Sequence, residues 1–178
     1  NISYLPTAIR TKAKQTLTLI GHNKQPLDAQ LAAQAHGIKV FFADFDDDAP
    51  NHVHSTLAGY YDSADNVIVI NRAIDGREQN HAIAVELGKA LLHPEWSHSP
   101  DYRISTRNST PETQPEKDAF AFAGALLAPQ EDLRHFHPKL SFERLLEIFP
   151  LPAAALEKEI QLLLDIFRID KDGPPQPA

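Results

Sequence analysis

The sequence predicts an α+β fold in which a small sheet of about three strands packs on one buried helix, with additional C-terminal helices. Three observations predict it. Short runs of branched and aromatic residues cluster within the first 70 positions. The stretch from 82 to 92 is apolar around most of a helical surface, which marks a buried helix. Beyond it, apolar residues recur at helical spacing in segments separated by proline.

Taken in order, residues 7–20 carry Ala8, Ile9, Ala13, Leu17 and Ile20 on one helical face. A second helix, about 27–36, follows Pro26 and ends at Gly37, with proline before and glycine after. Residues 38–42, Ile-Lys-Val-Phe-Phe, read as a strand, and the aspartate-rich run 44–50 as a loop. Residues 57–61 and 67–70 are two strands joined around 62–66, a hairpin. The central helix starts near Asp75 or Arg77 and stops at Pro94. Residues 95–115, rich in Ser, Thr, Pro and Asn, read as a long surface loop. A helix over 116–127 closes at Pro129, and 141–149 and 153–167 are two more. The expected organisation is a main domain over 1–130, a helical subdomain over 131–168 and a disordered tail over 169–178.

Composition limits the function. At 178 residues with 42% apolar content, the chain can bury a core without staples. A net charge of −7 argues against a nucleic-acid surface spread over the molecule. With no cysteine there is no disulfide framework and no thiolate metal site, which fits a cytoplasmic location. No apolar run approaches the roughly 18 residues of a membrane span, and no signal peptide is legible, so no membrane partner is expected. Methionine is absent even at position 1, so the chain is expected to extend beyond Asn1.

The central helix has the shape of a zinc-protease helix that lacks both zinc ligands. Such a site needs His-Glu-x-x-His, with the histidines one turn apart on one face and the glutamate as general base. Here Val85 and Lys89 stand at the ligand positions, and only Glu86 remains. Valine offers no lone pair, and a lysine ammonium has no acceptor and the wrong charge.

Several segments in order resemble the ImmA/IrrE family of regulatory metallopeptidases. They are 30–40 (helix, glycine, first strand), Ala58-Gly59-Tyr60-Tyr61-Asp62, and Val67-Ile68-Val69-Ile70-Asn71. The degenerate helix follows, and then 116–129 with its Phe-Ala pairs and Leu-Leu-x-Pro ending. The resemblance covers roughly 27–130 and implies a zincin-like fold. Its members bind zinc through the two histidines and a glutamate on the next helix, and many cleave a repressor. Matched residue by residue, Glu86 corresponds to the general base and Glu116 to the third ligand. Val85 and Lys89 do not match, and Phe120 stands where an asparagine is usual.

The donors left do not make a zinc site. His93 lies seven residues, about 10 Å, beyond Glu86, and His81 points roughly 140° away around the helix. Their plainer roles are a cap on the helix dipole and a polar helix flank. Lys89 either reaches the space a zinc ion would fill, pairing with Glu86 and Glu116, or extends to solvent beside Glu86. His52 and His54 lack a third ligand fixed by spacing. Asp44, Asp46, Asp47 and Asp48 lack the glycine and closing glutamate of a calcium loop. His135 and His137 read as a turn. The last two helices have a helix–turn–helix look, but 131–168 holds seven acids against five bases, which disfavours DNA. Leu156, Ile160, Leu163, Leu164 and Phe167 instead form an apolar face suited to a partner or a homodimer.

The leading expectation is a catalytically silent pseudo-metallopeptidase with no cofactor. It would bind a regulatory protein, which the resemblance implies to be a repressor or a toxin–antitoxin component of a mobile element. The rival is an active zinc endopeptidase with non-standard ligands, Glu116 together with a loop histidine such as His98, that cleaves a repressor.

Overall fold

A computed structural model describes residues 6–45 and 56–172; within it, side chains are described to residue 168. The helices are α1 (Thr7–Leu19), α2 (Ala29–Ala35), α3 (Gly76–Leu92), α4 (Pro94–Ser97), α5 (Gln114–Leu127), α6 (Gln130–Phe136), α7 (Phe142–Ile148) and α8 (Ala153–Asp172). The strands are β1 (Lys39–Ala43), β2 (Leu57–Asp62), β3 (Val67–Asn71) and β4 (Ser105–Thr106). The α+β architecture is as expected, but the sheet has four strands among the described residues, in the order β1-β3-β2-β4. β1 runs parallel to β3, while β2 and β4 are antiparallel to their neighbours.

Local chemistry sets the elements. Asp28 caps α2 by accepting from the Gln30 N–H, and Gly37 at φ +74° lets the Ile38 N–H return to the Ala33 carbonyl. The Asp62 carboxylate accepts from the Ala64 N–H in the β2–β3 hairpin, whose Asn66 adopts φ 55°. Asp75 accepts from the Arg77 and Glu78 N–H groups and fixes the start of α3. Asn80, on the first turns of α3, accepts from the Ala29 N–H and donates to the Leu27 and Pro150 carbonyls. One side chain thus ties α2, α3 and the segment before α8 together.

The core lies between the sheet and α3 and continues into α5. Ile68, Ile70 and Ala58 bury against Ile83 and Leu87, and Phe122, Leu126 and Leu127 extend the cluster. Gly88 allows α3 and α5 to touch. A methyl there would lie 2.9 Å from a Phe122 ring carbon and 3.1 Å from the Ala119 carbonyl oxygen. Gly88→Ala is therefore expected to cost about 1–3 kcal/mol, read from urea denaturation.

Four expectations are corrected. Segment 95–115 is no plain surface loop: it carries α4 and β4 and folds over α3, with Ser97 buried. Residues 130–136, including His135, are helical, because Pro129 starts a turn that buries Leu133. α8 runs on through 169–172, past the expected start of the tail at 169. On α8, Leu156 and Leu163 are fully buried within the chain, and Arg134 lies over the Phe167 ring at 5.3 Å. That face therefore serves the chain's own core, with only Leu164 and Phe167 substantially exposed. His52, His54, Asp46, Asp47, Asp48 and 173–178 lie outside the described residues. No helix among the described residues is long and apolar enough to cross a membrane.

Candidate functional site

α3 carries Val85, Glu86 and Lys89 into the interior. Val85 is a core residue, 2% exposed, packed where a ligand histidine would stand. Glu86 and Lys89 are buried too, with side-chain exposures of 0% and 1%. Two opposite charges taken this far from water require each other and further hydrogen bonds. The Lys89 ammonium donates to Glu86 Oε1 at 2.8 Å, to the Arg103 carbonyl at 2.8 Å and to Ser105 Oγ at 3.1 Å. Its three protons are thereby used.

Glu86 is held at both oxygens. Tyr102 Oη donates to Oε2 at 2.6 Å, and Ser105 Oγ donates to Oε1. The Tyr102 oxygen in turn accepts the Tyr61 N–H at 2.6 Å, which anchors it to β2. Burial, and after it the Glu86 charge, pushes the Tyr102 hydroxyl well above its ordinary pKa, so it remains a donor. Its ring lies 5.3 Å from the Lys89 nitrogen and edge-on to Trp96 at 5.4 Å. Ser97 Oγ donates to the Lys89 carbonyl at 3.0 Å. The segment from α4 to β4 is thus a strap closed over the α3 charges.

Half of the internal-cation expectation holds. Lys89 turns inward to Glu86 rather than to solvent, but it does not pair with Glu116. Glu116 Oε2 accepts from the Glu112 and Thr113 N–H groups and from Thr113 Oγ1, at 3.1, 2.8 and 2.9 Å. This is a capping box: Thr113 caps α5 and Glu116 reaches back to it. The nearest cation to Oε1 is Arg103 Nε at 3.8 Å. Burial alone would raise the Glu116 carboxyl. The Thr113 and Glu112 hydrogen bonds and the Arg103 charge outweigh it, holding the pKa below its ordinary value.

The other candidates stand apart from the two carboxylates. His81 packs edge-on against the Phe120 ring at 5.5 Å, and desolvation pushes its pKa down to about 4, so it is neutral at pH 7. His93 ends α3 and bonds Asp118 Oδ2 at 2.8 Å. His98, the loop ligand of the rival reading, is exposed and bound to the Pro94 carbonyl. Among the described residues no three His, Cys, Asp or Glu side chains are grouped closely enough to hold a metal. The donor set at α3, a carboxylate already held by an ammonium and two hydroxyls, does not fit zinc. Beside it lies a cavity of about 360 Å³ bounded by Lys89, Ser105, Thr106, Glu116 and Phe120.

Tyr102, Arg103 and Ser105 were missed from sequence. The signal that pointed to them was indirect: Trp96 and Tyr102 are two large aromatics in a segment otherwise polar enough to lie free in water, and both are partly covered, whereas Ile104 of the same segment stays exposed.

Among solved structures, a Mycobacterium tuberculosis transcriptional regulator is similar to this chain, with TM-score 0.56 and 18% identity. The match covers 96% of this chain and 49% of that one, so this chain spans about half the regulator's length. At that identity the likeness carries the fold alone. No curated protein matches the chain. The family model of the IrrE N-terminal-like domain, peptidase M78, matches residues 33–159. That span is well over half of the sequence, and the chain belongs to the IrrE N-terminal-like family.

Proposed function

We propose that this chain is a catalytically silent member of its family that acts in the cytoplasm by binding a regulatory protein. A repressor or a toxin–antitoxin component, as found on mobile elements, is the class of partner intended. One observation carries the reading: both Glu86 oxygens are occupied by Lys89, Ser105 and Tyr102. A general base must reach a water whose pKa a metal has lowered, and this carboxylate is wholly buried, bonded at both oxygens and paired with an ammonium where a ligand set would stand. Lys89 supplies the positive charge such a site needs to stay folded, without the Lewis acidity needed for hydrolysis. The family membership supports the regulatory side.

Elemental analysis of protein purified without added metal, combined with a casein hydrolysis assay, tests this. Well under one zinc per chain and no turnover are expected. One zinc per chain, lost together with activity in Glu116→Ala, would overturn the reading in favour of an unorthodox peptidase.

A further inference from the structure

Arg103 is bound in an unusual way for a residue of an exposed strap. Its carbonyl sits on the buried Lys89 ammonium at 2.8 Å, and its guanidinium reaches two carboxylates. Nη1 lies 2.6 Å from Glu112 Oε2, and Nε 3.8 Å from Glu116 Oε1. The first of these pairs is well solvated, with side-chain exposures of 48% and 71%. The second lacks hydrogen-bond distance. Both are grips that a competing cation can replace at little cost.

The surroundings suit an extended chain. Among the described residues β4 is the last strand of the sheet, paired with β2 on one edge, and such an edge accepts another strand. Ser105 and Thr106 of β4 form one wall of the 360 Å³ cavity, and Phe120 and Glu116 of α5 another. The capping box holds Glu116 rigidly, with Oε2 consumed by three donors, so Oε1 faces Arg103 without reorganising. Phe120 offers an aromatic surface for an aliphatic stem or a guanidinium plane. An anionic ligand would meet two carboxylates, and the Lys89 donors that might hold it are spent.

We infer that this cavity docks an extended peptide segment of the partner bearing an arginine or lysine, a place Arg103 holds from within until that segment displaces it. The inference rests on the protein-binding reading above and names the chemistry the partner presents. Displacement moves the strap, and the strap carries its own reporter: Trp96, the one tryptophan of the chain, packs against Tyr102.

The test titrates the full chain with three acetylated, amidated heptapeptides of alanine and threonine, with Arg, Ala or Glu at the centre. Trp96 emission reads the strap and polarisation of labelled peptide reads binding. The Arg peptide is expected to bind about tenfold tighter than the Ala peptide and to weaken with salt. The Glu peptide is expected not to bind. Arg103→Ala is expected to tighten the Arg peptide several-fold by removing the internal competitor. Glu112→Gln/Glu116→Gln should abolish the Arg preference while leaving thermal unfolding near wild type, since glutamine retains a capping acceptor. Equal binding of the Arg and Ala peptides, no binding to either wild type or Arg103→Ala, or binding without a change in Trp96 emission would each overturn the inference. None of those results touches the metal analysis, which judges the pseudoenzyme reading separately.

Discussion

Lys89→Met is expected to destabilise the chain by about 3–5 kcal/mol, the range for removing one partner of a buried ion pair. The methionine fills the space of the lysine stem, so the effect is electrical rather than a cavity. It leaves the Glu86 carboxylate, 0% exposed, with two neutral donors, Tyr102 and Ser105, and no counter-charge. It also frees the Arg103 carbonyl that the ammonium holds, so the strap loosens along with the helix. In thermal melts the loss corresponds to a fall of roughly 6–20 °C for a domain of this size. Lys89→Met/Glu86→Leu is expected to recover most of it, because replacing both charges removes the stranded one. A single variant within about 1 kcal/mol of wild type would show that the pair is not buried as described. So would a double variant no better than the single. The resemblance places a metal-ligand histidine at position 89, and the test asks whether an internal ammonium holds the helix there instead.

The parts of this site that could be read from sequence are those written in local spacing. Val85, Glu86 and Lys89 follow from a single helix, and the inward pairing of Lys89 with Glu86 is a contact between residues three apart. The caps at Asp28 and Asp75 and the hairpin at 62–66 are likewise local. What escaped is long-range or very short. Tyr102 and Ser105 meet Glu86 across sixteen and nineteen residues, and no periodicity announces such a contact. α4 has four residues and β4 two, too few to display a period. The parallel pairing of β1 with β3 depends on chain path, which alternation within a strand does not encode. The missing Lys89–Glu116 pair is different, because its reason is local. Thr113-x-x-Glu116 before an apolar run is a capping box by sequence, and it turns Glu116 Oε2 back to Glu112 and Thr113 and leaves Oε1 facing Arg103.

Stability should also fall as the pH rises from about 6.5 to 8, and Glu159 is the expected cause. This residue of α8 is 4% exposed, and its carboxyl lies against the bare backbone of Gly124 on α5. A methyl at Gly124 would collide with Oε1. Gln130 of α6 reaches only its main-chain carbonyl, at 3.5 Å. Burial pushes the Glu159 pKa up to about 8, against a weaker opposing pull from Lys158. The folded state therefore holds a proton that the unfolded chain, with an ordinary carboxyl near 4.5, has lost. The stabilisation is complete below the unfolded value and disappears as the pH rises through the folded one. His81 acts in the opposite sense: with its folded pKa lowered to about 4, it favours folding as the pH rises toward 6.5. The two slopes oppose each other below that point, and only the Glu159 slope remains above it. Between pH 6.5 and 8 the loss is expected to reach about 2 kcal/mol, at up to 1.4 kcal/mol per unit. Glu159→Gln, isosteric and uncharged, should flatten this limb while leaving the His81 limb intact. Urea denaturation across the pH range reads the difference, and amide exchange should place the alkaline loosening in α8 where it packs on α5. Parallel curves for wild type and Glu159→Gln would assign the alkaline limb to another group and leave α8 docked on Gly124 through an ionised carboxylate.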